Sequence, residues 1–135
     1  MIDTAQVLYD YLTELGNPVR TLVATNCWTL QGEPVGWKND SAAIAMQISE
    51  TGQFSCRDWV EASVTFFFYG GTDNASDCFD IYAAVYDRLH GQQNKIGDNG
   101  TIVWAQQFSG DPDEIEPDSS YRRARANYIV TVKEN

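Results

Sequence analysis

The chain has 135 residues, 43% of them hydrophobic and 21% charged, which is one domain's worth of sequence with apolar residues enough for a core of its own. Nineteen acids against nine bases leave a formal net charge of -10. The densest basic cluster is Arg122, Arg123 and Arg125, too sparse for sequence-tolerant binding to DNA or RNA, which needs a dense basic patch. No run of about 18 apolar residues is present, which argues against a membrane-spanning helix.

The first element is a helix over residues 4–15. Asp3 is placed to cap it, with Gln6 in the capping-box position, and Val7, Leu8, Tyr11, Leu12 and Leu15 form its apolar stripe. Gly16 suits the helix end and Pro18 stops it from resuming. This N-terminus is acidic and amphipathic, not basic then apolar, so it does not read as a signal peptide. A short strand follows near residues 27–30. Residues 31–41 read as a loop carrying Gly32, Pro34 and Gly36, and an unusually large loop residue, Trp37.

Residues 42–49 alternate, with Ile44, Met46 and Ile48 on one side, and read as a strand. Residues 50–55 can turn into a second strand over 57–69. There Val60, Ala62, Val64, Phe66 and Phe68 point one way, while Glu61, Ser63, Thr65, Phe67 and Tyr69 point the other. After the Gly70–Gly71 pair, Thr72 or Asp73 caps a helix with an apolar stripe of Ala75, Phe79, Tyr82, Tyr86 and Leu89. Gly91 ends it. Residues 92–100 read as a polar loop, and 101–108 as a strand with Ile102, Trp104 and Phe108 on one face. Residues 109–120 read as an acidic loop with two prolines. The final strand, 121–133, puts Ala124, Ala126, Tyr128, Val130 and Val132 on its apolar face.

This order predicts one α+β domain over residues 1–135. It is a mostly antiparallel sheet of about four strands with two helices packed on one face. The opposite sheet face carries Glu61, Thr65, Phe67, Tyr69, Arg123, Arg125, Ile129 and Thr131, a mixed surface of the kind that meets another subunit.

Little in the sequence points to chemistry. His90 is the sole histidine, at a helix end where a cation is favoured in any case. Cys27, Cys56 and Cys78 are widely spaced, without the short intervals of a zinc site or a disulfide framework. No phosphate-cradling glycine loop is present. Neither an enzyme, a cofactor nor a metal is expected.

The strongest local charge signal is Asp111, Asp113, Glu114, Glu116 and Asp118, directly followed by Arg122, Arg123 and Arg125. The acids can form a solvated loop or a contact loop, or collect oxygen ligands around a divalent cation, though they lack the loop glycine and terminal glutamate of a calcium hand. The arginines can neutralise them within one subunit, or meet them across subunits, where charge pairs set register. These eight residues are the candidate interface set. Trp28, Trp37, Trp59 and Trp104, with residues 66–69, read as core or interface anchors in preference to a stacking platform for sugars or bases.

Taken together, several features resemble the tail-completion (tail terminator) proteins of long-tailed, siphovirus-like bacteriophages. They are the N-terminal helix, the strand at 42–49, the long strand VEASVTFFFYG, the helix from Ala75 to Leu89-His90-Gly91, and a last strand with Arg122, Arg125 and Tyr128. The resemblance spans residues 1–133 and is clearest over 42–91 and 121–132. It implies a virion structural protein, made in the host cytoplasm and resident at the head-proximal end of the tail. Such a protein forms a ring, usually a hexamer, that caps the tail tube, ends its growth and offers the head-docking surface. The implied partners are copies of itself, the tail tube protein and a connector or neck protein. DNA would pass through the lumen without specific binding, helped by acidic walls. The alternatives are another neck or head-completion protein of the same particle, or a monomeric ligand-binding domain.

Overall fold

The computed structural model describes residues 2–53 and 59–135. Three α-helices, α1 (Thr4–Leu12), α2 (Pro18–Val23) and α3 (Ala75–Leu89), accompany six strands. The strands are β1 (Cys27–Thr29), β2 (Ala42–Gln53), β3 (Trp59–Gly70), β4 (Gln93–Gly97), β5 (Gly100–Ile115) and β6 (Arg122–Lys133). They form a single sheet in the order β1-β2-β3-β6-β5-β4. All neighbours are antiparallel except β1, which runs parallel to β2 through Cys27↔Ile44 and Thr29↔Met46. The α+β reading holds; the sheet has six strands where the sequence pattern suggests about four, and three α-helices where it suggests two. No described helix is long and apolar enough to cross a membrane.

The alternating residues of β3 and β6 do what their period dictates. Val60, Ala62, Val64, Phe66 and Phe68 pair across the ladder with the side of β6 that carries Ala124, Ala126, Tyr128, Val130 and Val132. All are buried in one core with Val7, Leu8 and Leu12 of α1, Val19 and Val23 of α2, and Cys78, Ile81, Val85 and Leu89 of α3. The three helices therefore cover one face, called here the inner face. Its centre is aromatic: the Phe66 ring lies 5.4 Å from Tyr128 and 5.9 Å from Phe68.

Several elements depart from the sequence pattern for identifiable reasons. The first helix stops at Leu12: Thr13 is its C-cap, leaving helical geometry at φ -100° and ψ 11° while its N–H and hydroxyl both donate to the Tyr9 carbonyl. Leu15 then falls beyond the helix and is 78% exposed. Pro18 begins a helix rather than preventing one: Asn17 caps α2 by accepting from the Val19 and Arg20 amides, and proline at the first helical position is pre-organised for that role. Asp3 caps α1 as the spacing suggests, but Gln6 reaches forward to Asp10 rather than back.

The α3 cap is Asn74, whose side chain accepts from the Ser76 amide; Thr72 instead donates to Asp77. The buried stripe of α3 is Cys78, Ile81, Val85 and Leu89. Phe79 and Tyr86, placed in the stripe by spacing alone, are 48% and 41% exposed. The helix carries two apolar stripes, and the smaller residues hold the core.

The expected polar loop over 92–100 is a hairpin. β4 pairs with β5 from Gln93↔Trp104 to Gly97↔Gly100, leaving Asp98 and Asn99 as a two-residue turn, a length typical of tight hairpins. β4 is polar because it is the sheet's edge, where charge guards against stray pairing. Gly100 is required here: its φ is +150°, and a Cβ would sit 2.8 Å from Val7 and 2.9 Å from Ile2. On β5, Ile102 and Ala105 are buried while Phe108 is 57% exposed, because the register shifts between Ile102 and Trp104, which takes Trp104 off the face of Ile102, and again between Gln107 and Ser109.

The expected strand at 42–49 runs on to Gln53, and the strand expected over 57–69 is described from Trp59 to Gly70. The turn expected at 50–55 reaches residues outside the described set, as does Cys56.

Candidate assembly surface

The acidic segment is not the free loop that its prolines and charges suggest. β5 continues to Ile115 and pairs with β6 through Asp111↔Arg125, Glu114↔Arg123 and Ile115↔Arg122, with an irregular step between Asp111 and Glu114. That step absorbs Pro112, which cannot donate to a ladder. Only residues 116–121 form the connection, closed by the Ser120 amide on the Glu116 carbonyl at 2.9 Å.

This register places acids and arginines side by side within one chain. Arg123 Nε donates to Glu114 Oε1 at 2.6 Å, and its terminal nitrogen lies 3.7 Å from Glu116. Arg125 reaches the other Glu114 oxygen at 3.6 Å, and Arg122 lies 3.6 Å from Asp113. Asp111 accepts from the Asp113 amide, and Asp118 is exposed in the turn. Of the eight candidate residues, then, Asp113, Glu114, Glu116 and the three arginines are joined by intrachain ion pairs. Among the described residues, no group of three His, Cys, Asp or Glu is arranged to hold a metal ion.

Arg123 is the centre of this lattice. Its guanidinium lies over the Phe67 ring at 4.2 Å from the centroid, and it donates to the Tyr69 hydroxyl at 3.2 Å. Tyr69 in turn donates to Glu116 at 3.2 Å. Burial pulls the Arg123 pKa down, but hydrogen bonds with Tyr69 and Glu114 outweigh it and leave the cation favoured. Burial pushes the Tyr69 hydroxyl up to about 12.

Phe67 and Tyr69 lie on the outer sheet face, yet both are nearly buried. The loop after β1 covers them, carrying Trp37 onto the sheet. Trp37 packs edge-on against Tyr69 at 4.9 Å, Trp28 at 5.5 Å and Tyr121 at 6.0 Å. This second, smaller aromatic cluster supports the arginine lattice from one end. The size of Trp37 within a glycine-rich loop is the signal in the sequence that marks it.

Beyond that cluster the outer face turns polar. Thr65 donates to Asn127 at 2.8 Å, and Asn127 donates to Ser109 at 2.8 Å. At the far end the Lys133 ammonium lies 5.6 Å above the Trp59 ring. The pairing register sets Arg123, Arg125 and Lys133 against Glu61, Asp111 and Glu114 on this side. With Glu116, which Arg123 also pairs, four acids stand against three bases, so most of the chain's excess of acid lies elsewhere.

His90 has structural partners. Its Nδ1 accepts the Gln107 amide at 3.0 Å, and its ring stacks on Tyr86 at 4.4 Å. Tyr128, singled out by its place in the last strand, lies wholly in the core rather than on a surface.

No family model matches the chain, and no curated protein matches it. Among solved structures it is similar to a chain described as "Virion of native gene transfer agent (GTA) particle", with a TM-score of 0.59 at 15% sequence identity. The likeness covers 93% of this chain and 91% of that one, so the whole domain shares that fold.

Proposed function

We propose that this chain is a virion structural protein that closes into a ring on the end of a phage-type tail tube, ends tube growth and offers the docking surface for the head. The observation that carries the reading is the fold likeness to a chain of a gene transfer agent virion over nearly the whole of both chains. The outer sheet face supports it. Among the described residues no α-helix lies over that face, its arginines are paired with acids of the same chain, and it holds aromatic and arginine side chains of the kind that anchor protein contacts. A ring requires one patch to meet a different patch on the next copy, and a face whose acids are mostly matched by bases can approach a strongly acidic neighbour with little repulsion. The excess acid is left for surfaces that face solvent or a DNA passage, where it keeps phosphates from adhering. No catalytic step belongs to this reading.

The test is native mass spectrometry of the purified chain, alone and with its tail tube protein. A single closed stoichiometry, six copies in the resemblance-based expectation, supports the proposal. A chain that stays monomeric with its tube protein present contradicts it. A ring that binds a connector but leaves tubes growing points to another neck protein instead.

A further inference from the structure

We propose that the exposed stripe of α3, with the adjoining part of β5, is a docking groove for a basic amphipathic helix of a different protein. The inference goes beyond the ring and does not depend on it. Phe79, Tyr82 and Tyr86 recur at steps of three and four along α3, so they share one face. Phe79 stacks on Tyr82 with centroids 5.9 Å apart. That face is held rigidly against β5: Gln107 Nε2 donates to the Tyr82 hydroxyl at 2.7 Å, and a Cβ on Gly110 would lie 2.5 Å from that same oxygen. The stripe is thus a built surface of large side chains, left half-exposed while smaller residues fill the core.

The exposed charges that α3 itself sets beside it are acidic. Asp80 and Asp87 each follow a stripe aromatic and are seven residues apart, so they line the same flank; both are exposed. On the β5 side stands Asp113, 51% exposed and 3.6 Å from Arg122, so the two aspartates of α3 are the unmatched charges of this edge. Of the charged residues of α3, only Arg88 is basic, and it turns the other way, onto Tyr11 and Glu14. An aromatic floor with carboxylates along its edge is complementary to a helix with aliphatic residues on one face and Lys or Arg beside them.

Among the described residues, no helix of a second copy of this chain fits that role. α1 contains no Lys or Arg. α2 has only Arg20, which donates to the Thr13 carbonyl, and α3 has only the paired Arg88. Nor does the neighbouring β5 edge invite a strand, because Pro112 lacks a donor and the Asp113 amide is already capped by Asp111.

The probe is a synthetic helix of about three heptads with leucine at the two core positions and lysine elsewhere, compared with its glutamate counterpart. Binding is followed by calorimetry at low and high salt, and mapped on backbone amide resonances. The lysine peptide is expected to bind with salt sensitivity and to shift resonances of α3 and β5, and the glutamate peptide not to bind. Phe79→Ser with Tyr86→Ser should weaken binding at least tenfold, and Asp80→Asn with Asp87→Asn about fivefold. Should the aromatic pair unfold the chain, the aspartate pair carries the test alone. Equal binding by wild type and the variants, showing only general attraction to an acidic protein, overturns the proposal. So does loss of self-assembly in the aspartate variant, which would make the groove a contact between copies.

Discussion

The two faces of the sheet are made by the same strands and the same alternation, yet they reach burial by different chemistry. The inner face is dry: its side chains from β3 and β6 meet three helices, and the stabilisation is apolar area removed from water. The outer face buries Phe67 and Tyr69 under a single loop and then under Arg123, whose charge is offset by Glu114 and Glu116. Removing a methylene from the first leaves a void; removing a charge from the second leaves its partners unmatched. One face therefore specifies the fold, and the other is the surface that the proposed ring would cover.

The largest expected effect lies on the inner face. Phe66 is fully buried between Phe68 and Tyr128, so Phe66→Ala should lower unfolding stability by about 3–5 kcal/mol, measured by urea denaturation. A loss below about 1 kcal/mol would show that the helices do not seal this face.

On the outer face the arginines separate by exposure. The Arg123 side chain is 14% exposed, and Arg123→Met should cost about 1.5–3 kcal/mol by stranding its acceptors. Arg125, 42% exposed, should cost under about 1 kcal/mol when changed to Met. Equal costs would break the hierarchy assigned to the lattice. Arg125→Glu is consequently the variant for probing assembly with the subunit still folded, since Arg123 is needed by its own chain.

A pH series sharpens the contrast further. Burial raises Tyr69 from 10.0 to about 12 and Cys27 from 9.0 to about 12. Both are neutral when protonated, so the folded state holds these protons after the unfolded chain has released them. Their stabilisation is complete below pH 9, then falls as pH rises toward 12. Tyr69→Phe should make the decline above pH 10 shallower, leaving the share of Cys27, measured by thermal melts across the series; an unchanged decline would mean that Tyr69 titrates as if exposed.

The smallest effect is expected at Tyr128. Its hydroxyl is buried without a hydrogen-bond partner, so Tyr128→Phe should change stability by no more than about 0.5 kcal/mol or raise it. A clear loss would reveal a partner for that oxygen.

The sequence makes the inner face legible because alternation over ten or more residues has one physical reading. Both long strands and their buried sets follow from it. The acidic segment misleads for a different reason: Pro112 and a run of carboxylates resemble a solvated loop, whereas the ladder accommodates the proline at an irregularity and pairs the acids with β6. Spacing alone cannot rank Phe79 against Cys78 or Tyr86 against Val85, because which stripe turns inward depends on the room left by Phe66, Phe68 and Tyr128. Pro18 is ambiguous in the same way, ending one helix or opening the next, until Asn17 is recognised as a cap. The candidate site was visible as charge. Its aromatic support from Trp37, Tyr69 and Tyr121 depends on contacts between distant segments that no local pattern carries.

The central claim is that this chain stops a tube by covering its end. It is tested most directly by measuring tail-tube lengths in electron micrographs of particles assembled with and without the chain. The account predicts tubes of one length when it is present and overlong tubes of scattered length when it is withheld. Tubes of the same length in both preparations would contradict it.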